Sequence, residues 1–175
     1  MNSDTILGLP AATYLLIHVL ISLAGIASGL VVLFGLIVGK RLDGMTALFL
    51  LTTVLTSVTG FFFPFHGVTP AINLGILSLV VLAIAIAARY ALHLAGPWRT
   101  TYVITAMVAL YFNCFVLVVQ SFEHVPALHA LAPTQKEPPF AIAQGLLLVV
   151  FIVLIIYAVK GFRGAGPAIR TSKAA

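Results

Sequence analysis

Five long apolar runs divide the sequence, and each is close to the length needed to cross a bilayer. They cover residues 10–38, 45–63, 71–95, 100–122 and 140–159. About 20 helical residues cross about 30 Å of hydrocarbon. Lipid offers the backbone no hydrogen bonds, so runs of this kind must be helical, and they lack the two-residue alternation of a membrane barrel. The pattern predicts an all-α integral membrane protein, a single domain built as a compact bundle of five transmembrane helices.

Lysine and arginine predict the orientation of this bundle. Eight of the nine basic residues follow the first run, lie near the end of the third or between the third and fourth, or follow the fifth, and only Lys136 lies elsewhere. Because Lys and Arg in short loops stay on the cytoplasmic side, we expect the N-terminus outside and the C-terminus inside. Residues 123–139 then form an outer loop that caps the bundle, and residues 160–175 form a cytoplasmic tail.

Composition narrows the class of protein further. The chain is 62% hydrophobic and only 7% charged, which excludes an ordinary soluble domain. Its net charge of +5 is explained by membrane orientation, so we expect the lipid bilayer and no nucleic acid among its partners. The single Cys114 excludes an intramolecular disulfide. A multi-pass protein of a bacterial inner membrane, or of a similar plasma-type membrane, fits these features.

Small residues in the first run predict a packing face. Ser22, Gly25 and Gly29 follow one another at intervals of three and four residues. This spacing lets helix backbones approach closely in a membrane. The glycine-rich face therefore predicts helix packing, a homo-oligomer, or a contact within a larger membrane complex.

Polar side chains lie near the predicted outer ends of all five runs and suggest a shared pocket. An amide or imidazole in hydrocarbon is costly unless it turns inward and finds a partner. On the fourth run, Asn113, Gln120 and His124 are spaced by seven and four residues and share one helix face. We predict a polar ligand pocket, open to the extracytoplasmic side, formed by His18, His66, Asn73, Asn113, Gln120, Glu123, His124 and Gln144. The alternative is ordinary interhelical hydrogen bonding, worth about 1 kcal/mol for each bond.

Three kinds of function compete for this pocket. A b-type haem needs two imidazoles from different helices, which His18 could supply together with His124 or His66. A divalent metal ion could use His18, His66, His124 and His129, although no pair of ligands shares a helix face at ligand spacing. An enzyme would depend on Glu123 and His124 as acid and base, because no GxSxG or HExxH motif occurs.

The sequence favours a noncatalytic component, either an accessory protein or a binder of a small apolar ligand. A quinone or a lipid would be such a ligand. A redox protein that holds haem or a metal through the outer histidines is the alternative, and the cofactor is left open.

Overall fold

A computed structural model of the chain describes residues 5–64 and 70–163. Within these ranges the protein is a bundle of five long helices and one short helix, preceded by a small hairpin of two strands. The strands are β1 (Thr5–Ile6) and β2 (Leu9–Pro10), and they pair antiparallel. The helices are α1 (Ala11–Ile37), α2 (Asp43–Gly60), α3 (Pro70–Ile86, extended by a π-helical turn Ala87–Ala91), α4 (Trp98–His124), α5 (Pro126–Leu131) and α6 (Pro138–Arg163).

The hairpin is a feature that the hydrophobic pattern does not predict, because each strand has only two residues. Its two turn residues, Leu7 and Gly8, have φ angles of 51° and 80°. Positive φ at both central positions is the geometry of a type I′ turn, which glycine tolerates at the second position without strain. The hairpin leads directly into α1.

Four of the described helices are long and apolar enough to cross a membrane: Ala11–Ile37, Ala71–Ala91, Trp98–His124 and Pro138–Phe162. The predicted all-α class and multi-pass membrane character are therefore confirmed. The helix α2 is not among the four, because Asp43, five threonines and a serine lower the mean hydropathy of its 18 residues. By length and hydropathy, the described residues therefore contain four candidate membrane spans and not the five that were predicted.

Two ends of the bundle differ in packing. The end that contains the α1–α2 and α3–α4 turns, called here the Arg89 end, holds most of the buried apolar core. Packed there and toward the middle are Leu33, Leu36, Phe49, Tyr102 and Leu110, all with 1% exposure or less. At the opposite end, called the His18 end, the helices leave a cavity. The fold is therefore closed at one end and open at the other.

Close approach between helices depends on the glycine-rich face of α1. A Cβ atom placed at Gly29 would lie 2.5 Å from Leu110 Cδ1 and 2.9 Å from the Phe49 ring. The face that was predicted to pack is thus buried against α2 and α4 within one chain. Self-association through it stays a prediction.

Arg89, one of the basic residues that predict the cytoplasmic side, is buried at the end of α3. Its side chain is only 2% exposed and forms an ion pair with the carboxylate of Asp43 at the start of α2. The same guanidinium donates to the carbonyl of Arg41 at 3.3 Å and lies 5.1 Å from the centroid of the Tyr102 ring. One arginine therefore joins α2, α3 and α4 at this end.

Candidate ligand cavity at the His18 end

A cavity of about 630 Å³ lies between α1, α2, α3 and α4 at the His18 end. Most of its lining is apolar. The polar side chains of the lining are those of His18, Ser22, Thr56, Ser57, Ser78, Asn113, Gln120, Ser121 and His124. None of the described residues that line it is Asp, Glu, Lys or Arg.

The floor of the cavity lies where α1 last meets both α2 and α4. A Cβ atom placed at Gly25 would lie 3.2 Å from Thr52 Oγ1 and 3.6 Å from Asn113 Nδ2. The Asn113 amide donates to Thr53 Oγ1 at 3.1 Å, which ties α4 to α2 at this level. Glycine permits this contact because it presents no side chain. Toward the His18 end from this level, residues of all three helices line the cavity, and α1 still contacts α2 through the side chains of His18 and Thr59.

The back wall is formed by α2 and α3. The hydroxyl oxygens of Ser57 and Ser78 are buried and lie 3.1 Å apart, within hydrogen-bond distance. Nearer the His18 end, the Phe61 ring covers Gly75, where an added Cβ atom would lie 2.9 Å from Phe61 Cζ. Two small residues on α3 therefore hold it close to α2.

The side chains that line the cavity on α1 and α4 are partly exposed. Leu15, Val19 and Leu23 on α1 line the cavity and are nevertheless 40–49% exposed. Val116 and Leu117 on α4 also line it and are 40% exposed. Apolar surface exposed on a membrane-crossing helix faces lipid. These five side chains form the exposed apolar rims of the cavity on α1 and α4.

His18 is held in one orientation by the end of α2. Its Nδ1 lies 2.8 Å from Thr59 Oγ1, and the Thr59 hydroxyl donates to the Leu55 carbonyl at 2.6 Å. Because that hydroxyl proton is already used, Thr59 accepts from His18, so Nδ1 carries the proton of the neutral ring. The Phe63 ring packs edge-on against the imidazole, with centroids 5.2 Å apart. The remaining ring nitrogen, Nε2, is therefore a hydrogen-bond acceptor.

Thr56 is an exception among the hydroxyl residues of α2. Thr52, Ser57 and Thr59 each donate to the carbonyl four residues earlier, at 2.7, 3.1 and 2.6 Å. Thr56 lines the cavity, and its hydroxyl oxygen is buried and has no hydrogen-bond partner among the described residues. A buried hydroxyl without a partner costs about 1–3 kcal/mol.

The structure brings some of the predicted pocket residues together and places others elsewhere. The same cavity is lined by four of them: His18, Asn113, Gln120 and His124. Asn73 and Glu123 are exposed and outside the lining. Gln144 lies between α6 and α4, where its amide donates to the Phe115 carbonyl at 3.2 Å and its Oε1 is buried without a described partner. His66 lies outside the described residues.

The cavity also contains polar residues that the sequence did not single out as site residues. Ser22, Thr56, Ser57 and Ser78 belong to this group. The hydroxyl-rich composition of α2 was the available signal, but hydroxyl groups in membrane helices usually bond to their own backbone. Thr56 differs from the other hydroxyl residues of α2 only in its missing hydrogen bond, which the sequence alone does not show.

The predicted outer loop folds along α4. Ala132 is fully buried, and the Gln135 amide donates to the Val119 carbonyl at 3.1 Å. From this loop, His124 and Val125 line the cavity. At its far end, desolvation acts to raise the pKa of Glu137, but hydrogen bonds from the Thr134 and Lys136 amides and the Thr134 hydroxyl lower it overall.

The metal and haem hypotheses gain no support from the described residues. No group of three or more His, Cys, Asp or Glu side chains comes together among them. The Nδ1 atom of His124 lies 3.2 Å from the Gln120 carbonyl of its own helix. The Nδ1 atom of His129, on α5, lies 3.3 Å from the Phe122 carbonyl.

No protein-family model matches the chain, and neither a curated protein nor a solved structure matches it.

Proposed function

We propose that this chain is a noncatalytic membrane protein that binds a small lipid-soluble molecule in the cavity at the His18 end. The size and lining of the cavity are the main support for this proposal. Ligand sites typically enclose 300–1,000 Å³ and combine an apolar lining with a few convergent polar groups. At about 630 Å³, with His18, Thr56, Asn113 and Gln120 set among apolar side chains, this cavity has both properties.

Five membrane crossings, including α2, are part of the proposal. The helix α2 begins beside Arg89 and ends where Thr59 bonds to His18, so it runs alongside α1 between the two ends of the bundle. Its 18 residues rise about 27 Å, close to the thickness of the hydrocarbon. Burial of its threonines against neighbouring helices offsets its low hydropathy.

Basic residues support an orientation with the His18 end outside. Arg41 contacts the Arg89 end through its carbonyl, and Arg99 lies 5.9 Å from the Phe162 ring at the end of α6. Positive residues favour the cytoplasmic side. The N-terminus and the cavity would then lie on the extracytoplasmic side of a bacterial inner membrane.

The bilayer is the proposed source of the ligand. The rims of the cavity, on α1 and α4, expose apolar side chains to lipid, so a molecule dissolved in the membrane can reach the interior without crossing water. A lateral route also suits an accessory protein that stores or presents such a molecule to a larger complex. Association with such a complex, or with a second copy, would be a further property.

A cavity-filling variant tests this proposal. The protein in lipid nanodiscs is photolabelled with an uncharged alkyl diazirine, and the labelled peptides are identified by mass spectrometry. Val19→Trp fills the opening from the α1 rim. Leu20→Trp is the matched control, because Leu20 is 57% exposed and does not line the cavity.

We expect saturable labelling of the lining segments of α1, α3 and α4 in the wild type and in Leu20→Trp, and its loss in Val19→Trp. Uniform labelling of all lipid-facing surfaces, unchanged by Val19→Trp, would refute a ligand site.

A further inference from the structure

We infer that the Arg89 end of the bundle binds one anionic phospholipid, with its phosphate beside Arg41 and one acyl chain in an apolar slot between α2 and α3. The slot is separate from the cavity at the His18 end, so the inference does not depend on the proposed function. It rests on three observations: the slot, the cations near its end, and the single carboxylate that those cations share.

The slot has a volume of about 390 Å³. Leu50 within it is 3% exposed, whereas Leu51 and Tyr90 are 58% and 50% exposed, so these two side chains face lipid. From Ala47 to Val54 the slot follows α2 over a rise of about 10 Å, a third of the hydrocarbon thickness. This length suits part of an acyl chain, whereas a partner's transmembrane helix packs over a longer distance. The six described lining residues are Ala47, Leu50, Leu51, Val54, Ile86 and Tyr90.

Tyr90 connects one end of the slot to the basic residues. The centroid of its ring lies 5.7 Å from Arg89 Cζ, and a nitrogen of the same guanidinium donates to the Arg41 carbonyl at 3.3 Å. With one carbon–nitrogen bond of about 1.3 Å between these two steps, the ring centroid is within about 10 Å of the Arg41 carbonyl oxygen. Tyrosine is enriched where membrane helices meet the headgroups. The segment Lys40–Arg41 therefore lies near the end of the slot at which a headgroup is expected.

The charges at this end favour an additional anion. Asp43 forms an ion pair with the buried Arg89, and Arg41 Nε lies 4.0 Å from the same carboxylate oxygen, beyond hydrogen-bond distance. One carboxylate therefore serves two guanidinium groups, and the three side chains together carry a net charge of about +1 at neutral pH. The Arg41 side chain is 57% exposed, so it can turn to a phosphate, which a guanidinium binds through two parallel hydrogen bonds. Lys40 is exposed as well and adds a second positive charge.

An anionic phospholipid matches the slot and the cations at once. Its chain replaces lipid contacts along the slot, and its phosphate meets Arg41 at the interface. Inorganic phosphate has no apolar part to place in the slot, and a zwitterionic lipid brings a cation close to Arg41 and Lys40. Basic residues beside a membrane select anionic lipids for this reason.

Native mass spectrometry of the full-length protein, freed of lipid in a neutral detergent, tests the headgroup. Phosphatidylglycerol and phosphatidylcholine with identical acyl chains are added, and the fraction of protein that carries one lipid is measured. Arg41→Gln removes the cation but keeps the backbone carbonyl that Arg89 contacts. Lys160→Gln is the matched control, because Lys160 is an exposed cation that does not line the slot, and the next residue, Gly161, packs against Ile37 of α1.

We expect the wild type to bind phosphatidylglycerol more tightly than phosphatidylcholine. Arg41→Gln should lower phosphatidylglycerol binding about fivefold, the effect of one basic residue near a charged membrane surface, and leave phosphatidylcholine binding unchanged. Lys160→Gln should bind both lipids as the wild type does. Equal binding of the two lipids by the wild type, or equal losses in Arg41→Gln and Lys160→Gln, would overturn a headgroup site at Arg41.

A second pair of variants tests the slot. Ala47→Phe fills it, and Leu48→Phe is the control, because Leu48 is a neighbouring residue that is 44% exposed and does not line the slot. We expect Ala47→Phe to weaken the binding of both lipids and Leu48→Phe to change neither. Inorganic phosphate should not displace phosphatidylglycerol.

Displacement by inorganic phosphate, or unchanged lipid binding in Ala47→Phe, would overturn the role of the slot. A change of oligomeric state in Ala47→Phe without a change in lipid binding would assign the slot to a second copy of the chain. If a variant does not fold, the wild type is photolabelled with phosphatidylglycerol that carries a diazirine on an acyl chain. Labelling concentrated on the slot segments of α2 and α3 supports the site, and labelling spread evenly over the lipid-facing helices refutes it.

Discussion

Replacing Gly29 by alanine should destabilise the bundle, although alanine is the better helix former. The change adds one methyl group at the contact of α1 with α2 and α4. That Cβ atom would lie 2.5 Å from Leu110 Cδ1 and 2.9 Å from two atoms of the Phe49 ring. Ordinary contacts between carbon atoms are about 3.5–4.0 Å. Both neighbours are fully buried and have little free space into which to move.

The magnitude follows from two opposing terms. Alanine gains up to about 1 kcal/mol over glycine in a helix interior. Overpacking a tight core by one methyl group costs about 1–3 kcal/mol, because side chains leave their rotamers or the helices separate. Subtracting the full gain of about 1 kcal/mol from the overpacking cost leaves an expected net loss of up to about 2 kcal/mol for Gly29→Ala.

Two matched glycines calibrate this result. Gly145, on α6, has nothing within 4 Å of an added Cβ atom, so Gly145→Ala should be neutral or stabilising. At Gly25 the nearest atom lies at 3.2 Å, which predicts an intermediate effect. Reversible unfolding in mixed detergents gives the free energies. Equal stability of Gly29→Ala and Gly145→Ala would show that the α1 face is not closely packed.

Two further predictions concern the Arg89 end and the orientation. Asp43→Asn should destabilise the protein by about 1–3 kcal/mol, because Arg89 stays buried while its charged partner is lost. The Asp43 side chain is 78% exposed, so solvent reduces this cost below that of a fully buried ion pair. Glu123→Gln is the control, and equal unfolding free energies of the two variants would contradict a structural ion pair. In a Cys114→Ala background, a cysteine at Thr134 should react with an impermeant thiol reagent added outside, and one at Gly96 should not. Labelling of Gly96 alone from outside would reverse the proposed orientation.

Helix positions could be predicted from hydropathy because the bilayer sets a minimum length for each apolar run. The fifth run, predicted at residues 140–159, corresponds to Pro138–Arg163, and the fourth, at 100–122, corresponds to Trp98–His124. The burial and the partners of charged residues were harder to predict. The charge pattern located Arg89 at one end of the bundle, but its burial depends on Asp43, 46 residues away in the chain.

The candidate site could be predicted only where residues share one helix. Asn113, Gln120 and His124 repeat at helical spacing, so their common face follows from the sequence, and all three line the cavity. For Asn73 and Gln144 the sequence predicted how deep in the membrane each residue lies, but not the direction in which its side chain points. Each residue turns a helix by about 100°, so two residues at the same depth can point to opposite sides. Packing between helices decides the direction, and it turned Gln144 toward Phe115.

Unequal packing of the two ends links stability to binding. Contacts at Gly29, Leu110 and Phe49 and the Arg89–Asp43 pair hold the closed end whether or not a ligand is present. At the His18 end, residues around the cavity lack neighbours on one side and lose dispersion energy there. A molecule that binds there as proposed would restore those contacts and would bind only the folded bundle, so we expect the unfolding free energy to rise with its concentration. A Gly29→Ala protein should therefore be less stable and still gain the same increment from a ligand, because the altered contact lies below the floor of the cavity.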